Sequence, residues 1–160
     1  MQGKEQFKRI YDTYGEMLYR VAYLYTGNSY DSEDLLQEVL IKYMTRILPF
    51  RDDEHEKAWL LRVMINQSKN LLKKSSKKEQ KLSESELKVE DAGTEQHLDL
   101  VSEIGKLPFE YKTPIILYYY NDYSVAEIAN IMKISPSAVK MRLKRARDML
   151  KIHLEGYEYE

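Results

Sequence analysis

The chain contains no cysteine. That removes disulfides, thiol catalysis and thiolate metal sites, and it fits a reducing compartment. Glycine and proline are scarce, six and four among 160 residues, too few for an all-β fold with a tight turn at every corner. Long apolar runs are missing: the longest, Ile115 to Tyr120, has six residues, whereas a bilayer span needs about 20. The first six residues carry no apolar signal core. These absences lead to the expectation of a soluble, cytoplasmic protein with no membrane insertion. Catalytic signatures are missing too. His55, His97 and His153 are far apart and belong to no HExxH pattern, and there is no phosphate-cradling glycine loop and no GxSxG elbow. No catalytic residue, metal site or cofactor is expected, and the chain is not read as an enzyme.

What is present is amphipathic helix. Phe7, Ile10, Tyr11, Tyr14, Leu18, Val21, Ala22 and Tyr25 recur at helical steps, and Gly27-Asn28 gives a stop. A second helix is expected to begin at Ser29 or Asp31 as N-cap, with the stripe Leu35, Leu36, Val39, Leu40, Tyr43 and Ile47, and to close at Pro49. Arg51 to Glu56 reads as a charged loop. A third helix from Lys57 to Lys74 carries Trp59, Leu60, Val63, Met64, Leu71 and Leu72. Residues 1–74 are therefore expected to form one small helical domain. Residues 75–97 are dominated by Lys, Glu, Ser and Gln, too polar to offset chain entropy, and read as a flexible linker, the alternative being an exposed helix carrying i, i+4 charge pairs.

A second domain, 98–160, opens with a short helix through Leu98, Val101 and Ile104 and restarts at Leu107-Pro108. At Pro114 the expectation is a kink, or a fresh helix capped by Thr113. The apolar run Ile115 to Tyr120 reads as a central helix buried all round. Ser124 and Glu127 form a capping box, with Tyr123 placed to staple onto Ile128. Val125, Ile128, Ala129 and Met132 make one buried face. After the break Lys133-Ile134-Ser135, Ser135 caps a helix with Pro136 first. In that helix Val139, Leu143, Ala146 and Leu150 form a narrow seam, and Ser137, Lys140, Met141, Lys144, Arg145 and Lys151 lie away from it.

Charge supports this division. From Pro136 to Lys151 there are six basic residues against Asp148 alone, in a chain of net charge −1. Short helix, tight turn and a second helix with a basic outer face make a helix-turn-helix, whose second helix enters the DNA major groove. A solvated basic helix would share the charge, but not the agreement of cap, staple, seam and turn length.

The stretch Tyr123 to Arg147 resembles region four of the extracytoplasmic-function (ECF) sigma factors of the sigma-70 family. Asp34-Leu35-Leu36-Gln37-Glu38-Val39 resembles the core-binding signature of region two. Ala58-Trp59-Leu60-Leu61-Arg62, followed by Asn66 and Asn70, resembles the promoter-melting helix. The three occur in family order and spacing. Two departures stand out: the family often has Gly where this chain has Lys133, which suggests a slightly altered turn, and often Asp at position 70, here Asn.

The resemblance implies an all-α fold of two small helical domains, a sigma region two bundle and a sigma region four helix-turn-helix, joined by the linker. It implies a bacterial sigma factor that binds core RNA polymerase, through the β′ clamp coiled coil and the β flap, and directs it to promoter DNA. It also implies an anti-sigma factor as a further partner. Asp34, Gln37, Glu38 and Lys42, a polar row opposite the Leu35/Val39 seam, would meet the polymerase. Arg51, His55, Asn66, Lys69, Asn70 and Lys73 would meet the melted minus-ten element; Asn66 can both donate to and accept from a base edge. Ser137, Lys140, Met141, Arg142, Lys144, Arg145 and Arg147 would meet the minus-thirty-five duplex, with Arg142 and Arg147 nearer the phosphates. Two other classes fit the pattern less well: a stand-alone helix-turn-helix regulator that does not require core polymerase, and a purely structural helical module.

Overall fold

The computed structural model describes residues 2–78 and 95–153, all-helical apart from short connections, and the chain divides into two units on either side of Lys88. The first unit contains α1 (Gln2–Thr26), α2 (Ser29–Thr45) and α3 (Asp53–Lys78), each packed on the other two. Its core follows the expected seams of α1 and α2, Ile10, Leu18, Val21, Leu35 and Val39 being fully buried. On α3, Leu60 and Met64 are buried as expected, but Leu61 and Ile65 join them while Trp59, Val63, Leu71 and Leu72 are only half-buried. Phe7 and Tyr11 are not part of it. They lie exposed on α1, stacked on each other at 6.2 Å between centroids.

A polar lock turns α1 into α2. Gly27 supplies the left-handed conformation (φ 73) that ends α1, and its N–H donates to Tyr23 O at 2.8 Å. The N-cap of α2 is Asn28, not the expected Ser29 or Asp31: its Oδ1 accepts from Asp31 N at 2.8 Å. Beneath it the buried hydroxyls of Thr26 and Ser32 share a hydrogen bond of 2.8 Å.

Two expectations fail at the far end of α2. The helix stops at Thr45, and Ile47, placed in the apolar stripe, is 94% exposed beyond it. The charged segment read as a loop is helical from Asp53. Asp52 caps it, its Oδ1 accepting from His55 N at 2.8 Å, and Asp53, Glu54 and Glu56 fill the first turn, where carboxylates favour the helix dipole. At its other end α3 runs to Lys78, and α4 begins at Glu95. Helix thus occupies both margins of the expected linker; residues 79–94 lie outside the described residues.

The second unit contains α4 (Glu95–Lys106), α5 (Phe109–Ile115), α6 (Val125–Met132) and α7 (Pro136–His153). Pro114 starts no fresh helix. The chain runs helically through it and widens into a π-turn over Ile116–Tyr120. Proline has no N–H to donate, so the regular ladder is interrupted there and a wider turn is tolerated. In an α-helix Tyr118 and Tyr119 would return to the face of Ile115. The π-turn delays that return, so Ile115, Ile116 and Leu117 are buried and Tyr118, Tyr119 and Tyr120 are exposed. The run is therefore not buried all round.

Candidate nucleic-acid and polymerase interfaces

The helix-turn-helix forms by local rules. Ser124 Oγ accepts from Glu127 N at 3.1 Å while Glu127 Oε1 accepts from Ser124 N at 2.9 Å, the full capping box. Ile128, Ala129 and Ile131 are buried on α6, whereas Val125 and Met132 are only half-buried. Lys133 then takes the left-handed conformation itself (φ 58, ψ 44), and its N–H donates to Ala129 O. The turn keeps the conformation that glycine would adopt, so the expected change of shape does not occur. Ser135 Oγ accepts from Ala138 N at 3.1 Å and opens α7 behind Pro136.

On α7 the seam is Val139, Leu143 and Ala146, all buried, with Leu150 half-buried. Ser137, Lys140, Met141, Lys144 and Arg145 are exposed on the other side, as is Arg147 on a flank. Arg142 is half-buried. Two arginines reach back to α5 and the π-turn. Arg145 Nη1 donates to Tyr111 Oη at 3.4 Å, and Arg147 Nη1 to Tyr119 Oη at 3.2 Å. Each guanidinium has five N–H donors, so these bonds leave most of its donor capacity unused. Tyr119 went unread in the sequence because its exposure depends on the π-turn.

In the first unit, Asn66, Lys69, Asn70 and Lys73 are all exposed at i, i+3, i+4 and i+7 of α3, one polar face opposite Leu60, Leu61 and Met64. Among the described residues the Asn66 side chain has no hydrogen-bond partner, so its amide is available to a base edge. Arg51 is exposed, but His55 is half-buried and engaged: its Nδ1 accepts from Arg51 N at 3.1 Å and its ring meets Phe50 edge-on at 5.3 Å. His55 thus shapes the segment before α3 with its Nδ1 engaged.

That segment is braced by Arg46 and Phe50, which the sequence patterns did not single out, together with Tyr43 and Trp59. The Arg46 guanidinium lies 3.8 Å from the Tyr43 ring centroid and 4.4 Å from that of Phe50, and its Nη1 donates to Tyr43 O at 2.6 Å. Phe50 also meets Trp59 edge-on at 5.5 Å. The spacing of Tyr43, Arg46 and Phe50 was the available signal. Beneath them Glu56, buried, accepts from Tyr43 Oη at 2.7 Å and from Arg9 Nη2 at 3.1 Å. Burial, and then the bond to Glu56, push the Tyr43 phenol above its ordinary pKa; the same carboxylate raises that of Arg9.

Asp34, Gln37, Glu38 and Lys42 form an exposed row on α2. Gln67 on α3 ties two of them together: with its amide oriented to satisfy both ends, it donates to Glu38 Oε2 at 3.2 Å and accepts from Lys42 Nζ at 2.7 Å. No group of three or more His, Asp or Glu among the described residues is placed to hold a metal ion, and no described helix is long and apolar enough to cross a membrane.

Comparison with known proteins gives concordant results. Residues 10–78 match the family Sigma-70 region 2, and residues 97–150 match Sigma-70, region 4. RNA polymerase sigma factor SigV of Bacillus subtilis is 32% identical over 85% of this chain and 83% of its own length. The ECF RNA polymerase sigma factor SigM of the same organism is 30% identical over 89% and 91%, and SigW 28% over 94% and 90%. Among solved structures, the sigma factor RpoE in complex with the anti-sigma factor NepR from Bartonella quintana has a similar fold. Its TM-score is 0.78 at 21% identity, over 96% of this chain and 99% of that one. CnrH in complex with the cytosolic domain of CnrY has a TM-score of 0.69 at 22% identity, over 97% and 91%.

Proposed function

This chain belongs to the ECF sigma factors of the sigma-70 family, RNA polymerase subunits that direct initiation, and on that premise we propose how its surfaces divide the work. The observation that carries the reading is α7: a capped, correctly turned second helix whose basic side faces away from its buried seam. Ser137, Lys140, Met141, Lys144 and Arg145 meet base edges of the minus-thirty-five duplex, while Arg142 and Arg147 hold phosphates. On α3, Asn66 and Asn70 meet bases of the melted minus-ten element, and Lys69 and Lys73 its phosphates. Arg51 reaches the same strand from the segment that His55 braces. The α2 row Asp34, Gln37, Glu38 and Lys42 docks on the β′ clamp coiled coil of core polymerase. The exposed tyrosines beyond Leu117 offer the β flap a landing surface.

The domains assigned to these tasks are 1–74 and 98–160, with 75–97 as the tether between them. Tethered modules bind weakly alone and tightly once both are held on one partner. The chain is a binding subunit of a cytoplasmic enzyme and brings no catalytic group or cofactor of its own. An anti-sigma factor that covers these faces would hold it inactive; the similar structure of RpoE in complex with the anti-sigma factor NepR supplies the analogy.

Reconstitution with core polymerase, transcription in vitro and mapping of start sites tests the reading. Gln37→Ala with Glu38→Ala should keep full helicity and lose co-purification with core, because both side chains are exposed. Lys144→Ala with Arg145→Ala should keep core binding and lose discrimination at the upstream element, at about 1–3 kcal/mol per lost base contact. Unchanged promoter selectivity in the second pair would remove α7 from the reading. Tight, sequence-specific binding by the chain alone would favour a stand-alone regulator.

A further inference from the structure

Met141 is the one large apolar side chain that α7 fully exposes among the described residues, at 49%. It does not serve the core, because the seam of Val139, Leu143 and Ala146 lies on the opposite side. It stands near the middle of the outward face, with Ser137 one turn before it, Lys144 and Arg145 one turn after it and Lys140 beside it, all exposed. This collar suits a polyanion and repels an apolar protein surface. It also lies in the N-terminal half of α7, the half that approaches base edges in helix-turn-helix complexes. Asp148, exposed further along the same face, disfavours phosphate at the other end.

In the major groove G, C and A present only polar groups to such a side chain. The single apolar group there is the C5-methyl of thymine. A thioether side chain is flexible and polarizable and can fold onto a methyl without exact fit. We infer that Met141 is a specificity-determining residue that selects thymine within the minus-thirty-five element by contact with its C5-methyl. The inference rests on the assignment of α7 to that duplex.

The test removes only the methyl. Holoenzyme reconstituted with this chain is bound to a promoter in which each thymine of the upstream element, on either strand, is replaced singly by deoxyuridine. One position should lower the affinity of the wild type by about fourfold, the worth of one buried methyl-sized group. Met141→Ala should bind the thymine promoter about that much more weakly and be indifferent to deoxyuridine at that position. Met141→Leu should restore the response. The inference is overturned if every deoxyuridine promoter binds the wild type like the parent, or if Met141→Ala retains the same sensitivity. Failure of the broader reading is distinguishable: Lys144→Ala with Arg145→Ala would then also leave upstream discrimination intact.

Discussion

Lys112 is buried inside the second unit, 3% exposed, among the core residues of α5. Burial disfavours its charged form and lowers its pKa from 10.5 to about 8. A shift of that size corresponds to about 3 kcal/mol withheld from folding whenever the unfolded chain carries the proton. The folded state binds the proton less tightly than the unfolded one. The penalty is therefore complete below pH 8, shrinks as pH rises from about 8 toward 10.5, and vanishes above. Lys112→Met keeps most of the side-chain volume and removes the charge. It should stabilise the second unit at pH 7 by up to about 3 kcal/mol, less whatever the interaction that Lys112 makes contributes. The assay is urea denaturation of the full chain at several pH values, read by far-ultraviolet dichroism and tryptophan fluorescence together. The only tryptophan, Trp59, lies in α3, so a dichroic transition that fluorescence does not follow belongs to the second unit. The advantage of the variant should fall steadily between pH 8 and 10. A variant no more stable than the wild type at pH 7, or a difference that ignores pH, would refute the reasoning.

Two further perturbations bear on the scaffold. Glu56→Gln should destabilise the first unit by about 2 kcal/mol, because the charge-assisted bond from Tyr43 Oη is weakened in a buried site; the Arg9 pair adds little, its side chain being 51% exposed. Trp59 fluorescence during denaturation reads this directly, and an unshifted midpoint would mean that Glu56 is not a keystone. Lys133→Gly should stabilise the second unit by about 1 kcal/mol, since φ 58 costs an L-residue and not glycine; a loss of stability would show that the Lys133 side chain contributes more than its backbone costs.

The features legible in the sequence were those set by neighbours a few residues away. The capping box at Ser124, the Ser135 cap and the seam of α7 depend on spacing within one or two turns, so the string of residues contains them entirely. The row from Asn66 to Lys73 was legible for the same reason, once a helix was granted. The start of α3 was misread because a run of carboxylates looks like a solvated loop, although four such charges are also what a helix N-terminus favours. Ile47 was misread because periodicity continues past the point where Arg46 turns back onto Tyr43 and Phe50.

The remaining misses have a common physical origin, which is contact at long range or a change of helical phase. Glu56 is buried because its partner Arg9 lies 47 residues away, on a helix whose register against α3 no local pattern encodes. Tyr119 accepts from Arg147 only because a π-turn after Pro114 rotates it off the face a regular helix would give it. Each case alters the candidate site from behind. Glu56 and Arg46 fix the segment that contains Arg51, and Tyr119 of the π-turn braces Arg147 on the flank of α7. The side chains proposed to meet a partner are thus encoded locally, whereas the groups that hold them at their angle are encoded by the tertiary fold, and, if the proposed surfaces are correct, substitutions of Glu56, Arg46 or Tyr119 should alter promoter use without touching DNA.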